Sequence, residues 1–347
     1  MRTCLSWVLG VGLIAAVAWG NLAMAGESDA TGKIRLNGDY LLSGPFACKN
    51  LSVFLIHGKA KIKGKHIISL SYALEQGVVT IDETGDVNRL TISNHSDTDY
   101  VFIQSGDIVK GGRQDRTLAQ DALVPPRSNQ IPLNAFCVES GRWHKRGMEK
   151  ADQFSSSKKR LSSRKLKLAA KKAKSQQDVW QAVAAEQEKL SRQIGKSVRK
   201  KASATSLQLS MEDEDVEKKR QVYQQALLPV GQREKDAVGL AFAINGQFST
   251  ADIYGDPVLF QKLWPKLIEA AAYEAVSQYD AGQADRRASR DEVKGHLVDA
   301  LNSKKRLEPS TKVTRRTSGE TKINHAFETK DELDQVIHLN IMKKTDQ

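Results

Sequence analysis

The feature that most constrains the fold of this chain is a change in hydrophobic periodicity that occurs twice along it. Between residues 38 and 139, short apolar runs with a period of two alternate with Gly-, Asn- and Asp-rich turns, which is typical of β-strands. A lysine-rich segment with helical periodicity follows, and the strand pattern returns at Ala237. Strands and helices therefore occupy separate segments, and we expect an α+β fold.

The β-rich segment, residues 26–144, is predicted to form a mainly antiparallel domain. Many short strands separated by Gly-rich turns are typical of a sandwich or a barrel-like sheet. One short helix is expected at residues 71–76. The predicted strands lie at residues 51–56, 78–82, 90–93, 100–104 and 131–138.

The basic helical region, residues 145–230, is predicted to form a helical excursion from the β domain. Apolar residues on one helical face predict a long helix over residues 176–198, and Leu161 and Leu168 indicate another helix before it. A third helix is expected to begin near four acidic residues, which are favourable at a helix N-terminus, and to stop at Pro229. Residues 203–210 are interpreted as a loop.

The basic face of these helices has two interpretations. Residues 141–201 contain nineteen Lys and Arg against five Asp and Glu, so they provide a surface for phosphate, nucleic acid or anionic lipid. The same composition also fits a solvated helical face. Aromatic residues are not interleaved with the cations as stacking platforms, so the sequence favours the solvated face, and nucleic acid is not expected as a partner.

A β-hairpin and a long helix are predicted over residues 231–280. Asn245 and Gly246 stand between two apolar-rich runs, and this pair favours a type I′ turn because both central residues need a positive φ. Asp256 and Pro257 are typical of the N-cap and first position of a helix, which we place over residues 258–278. Residues 281–347 form a polar C-terminal segment with short strands expected near 312–316 and 336–341.

The first 25 residues have the three-part pattern of a secretory signal peptide. Arg2 precedes an apolar run over residues 5–20, and an A-x-A site ends at Ala25. The pattern predicts export to the periplasm or the medium, with cleavage after Ala25. The alternative is an uncleaved membrane anchor, although the run falls a little short of a spanning helix and no later segment is apolar enough to cross a membrane.

Export bears on the two cysteines that follow the leader, Cys48 and Cys137. In an oxidising compartment the two thiols can form a disulfide, which would stabilise the fold by closing a long loop. The alternative is two separate buried thiols. The sequence leaves both possibilities open because it does not place the two Cα atoms within bonding distance.

Motifs of the common enzyme classes are missing from the sequence. There is no H-E-x-x-H, C-x-x-C, G-x-S-x-G or G-x-G-x-x-G after the leader. The seven histidines are scattered without the spacing of metal ligands, so a zinc site would have to be assembled from distant parts of the chain. We therefore expect no metal and no cofactor.

A dense polar cluster is the strongest candidate for a site. It combines the segment SGDIVKGGRQDR, residues 105–116, with FCVESGRW, residues 136–143. The Gly pair can aim backbone N–H groups at an anion, three cations can bind it, and the groups of the second segment can orient them. The candidate ligand-binding residues are Lys110, Gly111, Gly112, Arg113, Gln114, Asp115, Arg116, Glu139, Arg142 and Trp143.

The same residues also fit a purely structural role. Arg113, Arg116 and Arg142 can pair with Asp115 and Glu139, and a buried ion network of that kind can hold a fold without any ligand. Residue types alone do not separate these two interpretations.

The cluster also carries a resemblance to a known family. The motifs GDIVKGGRQDR, VPP and FCVESGRW, together with NLSVF, QDVW and LWPKL, resemble the ARG and rhodanese-phosphatase-superfamily-associated protein domain. The resemblance covers most of residues 38–280. It implies an association with ADP-ribosylglycohydrolase-type and phosphatase-type proteins, and so with ADP-ribose or nucleotide processing, but it assigns no catalytic residue. The export signal, the lysine-rich helices and Cys48 depart from the family pattern.

Three functions are compatible with these observations. The preferred hypothesis is a non-catalytic module that binds a small anionic ligand or an envelope partner through the polar cluster. The first alternative is a hydrolase of a nucleotide or ADP-ribose-like phosphate ester, with Asp115 or Glu139 as general base. The second is an envelope interaction protein that uses its basic helices. Export weakens the nucleotide hypothesis, because ATP and NAD pools are cytoplasmic.

The signal peptide gives the first testable prediction. Protein produced with its own leader in a Gram-negative host should be recovered from the periplasm or medium and begin at Gly26, as read by amino-terminal sequencing. The control is Ala25→Arg, which should block cleavage and leave a membrane-retained precursor. Cytoplasmic protein that still carries residues 1–25 would contradict the prediction.

Overall fold

The computed structural model describes residues 32–141 and 154–344 and has the expected α+β fold. Large antiparallel sheets, one of them nearly closed in the manner of a barrel, pack with seven helices. The strands are β1 (Ile34–Arg35), β2 (Leu41–Cys48), β3 (Leu51–His57), β4 (His66–Ser69), β5 (Val79–Glu83), β6 (Arg89–Asn94), β7 (Asp99–Ile103), β8 (Asp107–Gly111), β9 (Arg116–Leu118), β10 (Ala122–Val124), β11 (Ser128–Cys137), β12 (Phe154–Leu161), β13 (Ala237–Ile244), β14 (Gln247–Tyr254), β15 (Lys305–Glu308), β16 (Arg315–Glu320), β17 (Asn324–Lys330) and β18 (Val336–Lys343). The helices are α1 (Leu70–Glu75), α2 (Arg164–Leu168), α3 (Gln176–Ile194), α4 (Leu207–Met211), α5 (Glu214–Arg233), α6 (Pro257–Ser277) and α7 (Arg290–Leu301).

The largest sheet combines strands from both ends of the chain. Its nine strands are ordered β1-β2-β3-β13-β14-β18-β17-β16-β15, and every neighbouring pair is antiparallel. The contact between β3 and β13 pairs Leu51 with Ile244, far apart in sequence. The strands before the basic region and those after it therefore share one sheet.

Two smaller sheets contain the remaining strands. A six-stranded sheet has the order β12-β8-β9-β11-β6-β5, and a three-stranded sheet has the order β10-β7-β4, in which β4 and β7 are parallel. Apolar side chains of both sheets, among them Ile68, Ile92, Val101 and Leu118, form a common core. The two small sheets thus pack as one body against the nine-stranded sheet.

Helices cover both faces of the nine-stranded sheet. One face packs against α5 and α6 through a core that contains Phe242, Phe260 and Trp264. The other face packs against α7, whose buried residues include Val293 and Leu297. Because the sheet is buried on both faces, β13 has no exposed residue, and its sequence is a continuous apolar run without alternating polar residues.

The hairpin prediction is confirmed. Asn245 and Gly246 have φ values of 53° and 76°, the positive values that a type I′ turn needs. The prediction for the helix that follows is also confirmed, because the Asp256 side chain accepts hydrogen bonds from the N–H groups of Val258 and Leu259 and Pro257 is the first residue of α6.

The predicted end of the third basic helix is wrong, because α5 continues through Pro229 to Arg233. Proline removes one helical hydrogen bond, and contacts from α6 hold the last turn beyond it. The Trp264 indole N–H donates to the Leu228 carbonyl (2.7 Å), and the Gln261 amide donates to the Gly231 carbonyl (2.9 Å). Tertiary contacts here outweigh the local preference.

Other predictions for the basic helical region and the C-terminal segment need correction as well. The residues before Leu161 form β12, which pairs with β8, so the first basic helix begins only at Arg164. The loop predicted over 203–210 contains the start of α4. The C-terminal segment contains α7, β15 and β17 besides the two strands that were expected. No helix of the described residues is long and apolar enough to cross a membrane.

The contact between α5 and α6 gives a testable prediction. A Cβ added at Gly231 would lie 2.3 Å from Cε2 of Trp264, so Gly231→Ala should lower the free energy of unfolding by about 1–3 kcal/mol through overpacking. Gly295→Ala in α7 is the matched control. Its Cβ would meet nothing within 4 Å, so the better helix propensity of alanine should raise stability by about 0.5–1 kcal/mol. Urea unfolding measures both, and equal effects would contradict the packing argument.

Candidate functional site

The two segments of the predicted polar cluster do meet in space. The N–H of Val138 donates to the carbonyl of Asp115 (3.0 Å), and the side-chain amide of Gln114 donates to the carbonyl of Glu139 (3.0 Å). The Asp115 N–H donates to Oε2 of Glu139 (3.4 Å). These bonds join the loop between β8 and β9 to the end of β11, as the sequence analysis expected of a convergent site.

The charged centre of this cluster is shielded from solvent. Asp115, Arg116 and Glu139 expose none of their surface. Nη1 of Arg116 donates to the Gln114 carbonyl (2.8 Å), and Nη2 lies 3.4 Å from Oε1 of Glu83, a β5 residue that the sequence analysis did not single out. Buried charges of this kind are stable only when they are paired, so the network links β5, β9 and β11.

The edge of the cluster is more exposed. Nζ of Lys110 pairs with Glu212 (3.1 Å), and the Arg113 N–H donates to Glu83 (3.1 Å) while its side chain is exposed. The Gly111 N–H donates to Asp115 (3.1 Å), and Gly112 has a φ of 56°, so the Gly pair turns inward on the protein's own carboxylates. The remaining two predicted residues, Arg142 and Trp143, lie outside the described residues.

The two cysteines are separate free thiols. Cys48 ends β2 in the nine-stranded sheet and its thiol is 3.9 Å from the Val222 carbonyl of α5. Cys137 ends β11 in the six-stranded sheet, where burial raises the pKa of its thiol to about 11. A buried thiol with a raised pKa is a poor nucleophile.

A second charge network, which sequence reasoning missed, lies between the nine-stranded sheet and the small sheets. His338 of β18 is held between two carboxylates: its Nδ1 is 2.7 Å from Oδ2 of Asp121, and its Nε2 is 3.0 Å from Oδ1 of Asp252. All three residues are buried. Asp121 also accepts hydrogen bonds from the Ser105 N–H (2.8 Å) and the Thr329 hydroxyl (2.9 Å).

The two carboxylates favour the charged form of His338. Burial by itself would lower the pKa of His338, but Asp121 and Asp252 outweigh burial and raise the pKa above its usual value. Burial would likewise raise the pKa of Asp121, yet the charge of His338, which is hydrogen-bonded to it, holds it well below its usual range. The two carboxylates therefore favour the imidazolium form of His338.

A basic pocket opens beside this network, with a cavity volume of about 290 Å³. Besides five cations, its walls contain the carboxylates Glu308 and Glu320 and the rings of His325 and Phe327. Burial and the neighbouring Lys172 lower the pKa of His325 to about 4, so this ring is neutral at pH 7. The cations are Lys171, Lys172, Lys174, Lys304 and Arg306.

One wall of the pocket is an unusual helical turn. Residues Ala169–Ala173 form a π-helix that continues α2, and the N–H of Lys174 closes it by donating to the Ala169 carbonyl (3.1 Å). Lys174 has a φ of 51°, which ends the helix. Turns of π-helix are rare and occur frequently at functional sites. This turn places Lys171 between the pocket and the buried network.

A smaller cavity shares lining residues with both the pocket and the network. It has a volume of about 30 Å³, enough for about one water molecule, and is lined by Asp121 and Arg316. Lys171, Glu308 and Phe327 line both cavities. Groups deep in the protein therefore lie directly behind the basic pocket.

Part of the lysine-rich segment thus has a role other than solvation. Lys167 is buried and Lys171 is partly buried, whereas Lys172 and Lys174 are exposed at the pocket. The interpretation of this segment as a solvated helical face needs correction for Lys167 and Lys171. The only indication of this arrangement in the sequence is in β14 and β18, where Asp252 and His338 occur in strands whose other residues are mostly buried.

Among the described residues, one group of potential metal ligands comes together from distant parts of the chain. Single ligand atoms of His57, Glu234 and Asp236 lie within 4.8 Å of one another. The ammonium of Lys33 is 3.0 Å from Asp236, 3.1 Å from His57 and 3.5 Å from Glu234. This group is therefore already compensated by a cation of the protein itself.

The polar cluster gives a testable prediction. Arg116→Ala should lower the free energy of unfolding by about 3–5 kcal/mol, because it leaves Glu83 and its neighbours with an uncompensated buried charge. Arg113→Ala, at the exposed edge of the same loop, is the matched control and should cost much less. Equal stability of the two variants in urea unfolding would show that the cluster does not hold the fold.

Comparison with known proteins identifies the family but adds no relative of known activity. Neither the curated proteins nor the solved structures provide a significant match to the chain. A family model described as the ARG and Rhodanese-Phosphatase-superfamily-associated Protein domain matches residues 39–342, which is most of the chain and includes both charge networks and the pocket. The chain therefore belongs to the ARG and Rhodanese-Phosphatase-superfamily-associated Protein domain family.

Proposed function

We propose that the protein binds a small anionic ligand, bearing a phosphate or a carboxylate, in the pocket between the π-helical turn and strands β15–β17. The observation that carries the proposal is the charge around the cavity, where five cations face two carboxylates. A concave site with an excess of one charge concentrates the opposite charge. This function is that of the binding module expected from the sequence, although the site is a different one.

The individual contacts of the cations support this proposal. Lys172 pairs with Glu320 (3.3 Å), and Lys174 pairs with Glu308 (3.8 Å). Lys171, Lys304 and Arg306 make no ion pair with any residue in the described part of the chain, although all three line the cavity. The carboxylates therefore leave positive charge for an anion to neutralise.

The cavity also limits the ligand. A volume of about 290 Å³ is at the lower end of the range for small-molecule sites. Phe327 supplies an apolar surface beside the cations, and Ser318 supplies a hydroxyl. These dimensions fit a phosphorylated or carboxylated metabolite better than a polymer.

This anion site is not the polar cluster that the sequence favoured. Asp115, Arg116 and Glu139 are buried and bonded to one another or to their neighbours, so a ligand would have to displace protein groups to reach them. The pocket offers cations at an open surface and needs no such rearrangement. Export, if residues 1–25 act as a leader, places this ligand outside the cytoplasm.

The same burial weakens the hydrolase alternative, since neither Asp115 nor Glu139 is accessible to a water beside a substrate. Asp121 lines the small cavity, but the cations around it keep its pKa well below the usual range, and a weakly basic carboxylate is a poor general base. Envelope interaction through the basic helices rests on composition alone. Binding of a small anion is the function with the most support.

Ligand binding gives a testable prediction. Titration calorimetry with pyrophosphate and citrate should detect binding that weakens as salt is raised. The double variant Lys304→Ala/Arg306→Ala should bind at least about tenfold more weakly, because each charge-assisted hydrogen bond contributes about 1.5 kcal/mol or more.

The matched control is Arg233→Ala/Lys262→Ala, which removes two exposed cations from α5 and α6 and so changes the net charge by the same amount. It should bind like the unsubstituted protein. If the two double variants lose affinity equally, the attraction is a general effect of net charge and the pocket is not the site.

A further inference from the structure

We propose that the Lys171 amine is a nucleophile that condenses with the carbonyl group of an anionic aldehyde or keto acid held in the pocket, forming an imine. The inference rests on the proposed anion site and names a chemical class of ligand for it. It adds a covalent step that anion binding alone does not require.

The position of Lys171 is the first support. Its side chain lines both the basic pocket and the small cavity behind it, and it lies at the middle of the π-helical turn. Nζ is 4.3 Å from the centroid of the Phe327 ring, so an apolar surface covers one side of the amine. A ligand in the pocket would meet the other side.

The contacts of Lys171 distinguish it from its neighbours. Lys172 and Lys174 have carboxylate partners, as described above, and these partners favour the charged and unreactive ammonium. Lys171 forms neither a hydrogen bond nor an ion pair through Nζ with any residue that the structure describes. Its amine is therefore not held in the charged form by direct contact with an acid.

The surroundings favour the neutral amine. Burial lowers the pKa of Lys171, and the charges of Lys167 and Arg316 lower it further, while Asp121 and Asp252 act in the opposite direction. A lysine that is desolvated and close to other cations is a recognised form of activated nucleophile. The buried network and the amine are thus electrostatically coupled.

The condensation is balanced in atoms and needs no further reactant. The lone pair of Nζ attacks the carbonyl carbon, the carbonyl oxygen takes up a proton, and the nitrogen loses one, which gives a carbinolamine. Loss of the oxygen as water then leaves a C=N bond. Glu308 lines both cavities together with Lys171, and we assign it the transfer of the proton from nitrogen to oxygen.

The anionic group of the ligand would be held by the other cations. Arg306 lies on strand β15 and Lys304 directly precedes it, and both line the cavity together with the π-helical turn. A compound that carries a carbonyl group next to a carboxylate, or a short chain between an aldehyde and a phosphate, can reach both sides. Alcohols and simple phosphate esters would bind there without reacting.

Reductive trapping tests the inference. The full chain is incubated with pyruvate or with pyridoxal 5′-phosphate, reduced with sodium borohydride, digested with chymotrypsin and analysed by tandem mass spectrometry. The adduct should lie mainly on Lys171. Lys171→Arg should carry about tenfold less adduct, because arginine keeps the charge but has no nucleophilic amine at this pH.

Lys262→Arg is the matched control, since it makes the same change at an exposed lysine of α6 outside the pocket, and it should keep the adduct on Lys171. Thermal unfolding of each variant confirms that it is folded. An adduct spread evenly over exposed lysines, or retained in Lys171→Arg, would overturn the inference. If pyrophosphate binds normally but Lys171 is not trapped, the anion site stands and only the imine is wrong; if neither is observed, both proposals fail.

Discussion

The interaction on which this structure most depends is the contact of His338 with Asp121 and Asp252. Removing an isolated charge from water costs many kcal/mol, and the two carboxylates can be buried together only because each is bonded to the His338 ring, whose pKa they raise. Asp121 belongs to the loop between β9 and β10, whereas Asp252 and His338 belong to the centre of the nine-stranded sheet. The network therefore fixes how the small sheets meet the large one. The pair of Asp107 with Lys266 makes a further buried link, from β8 to α6.

The basic pocket follows from this arrangement. Asp121 and Asp252 lie close enough to Lys171 to act on its pKa in the raising direction, but burial and the neighbouring cations outweigh them and lower the pKa. The π-helical turn presents this lysine to the cavity and the edge strands β15–β17 close the opposite side. The C-terminal segment, which is polar in sequence, thus supplies most of the residues that line the candidate site.

The polar cluster at Arg116 shows how a structural network can resemble a binding site in sequence. The N–H groups of Gly111 and Arg113 do donate to carboxylates, but these are the carboxylates of Asp115 and Glu83, which belong to the protein itself. Its cations and acids compensate one another across β5, β9 and β11. Residue types and spacing are the same whether a cluster binds a ligand or joins strands. Only burial distinguishes the two, and burial depends on elements far away in the chain.

The sequence by itself determined the α+β class, about half of the strands, the hairpin at Asn245-Gly246 and the α6 cap, because these depend on local periodicity and turn chemistry. Pro229 does not end α5 as the sequence predicted, because Trp264 of α6 stabilises the helix there and this contact is not local in sequence. The tertiary structure alone decided that β3 pairs with β13, that Cys48 and Cys137 lie in different sheets, and that Lys171, Asp121 and His338 come together. Such contacts join residues that are far apart in the chain, and their energies come from excluding water and compensating charge, which no pattern within a single segment records.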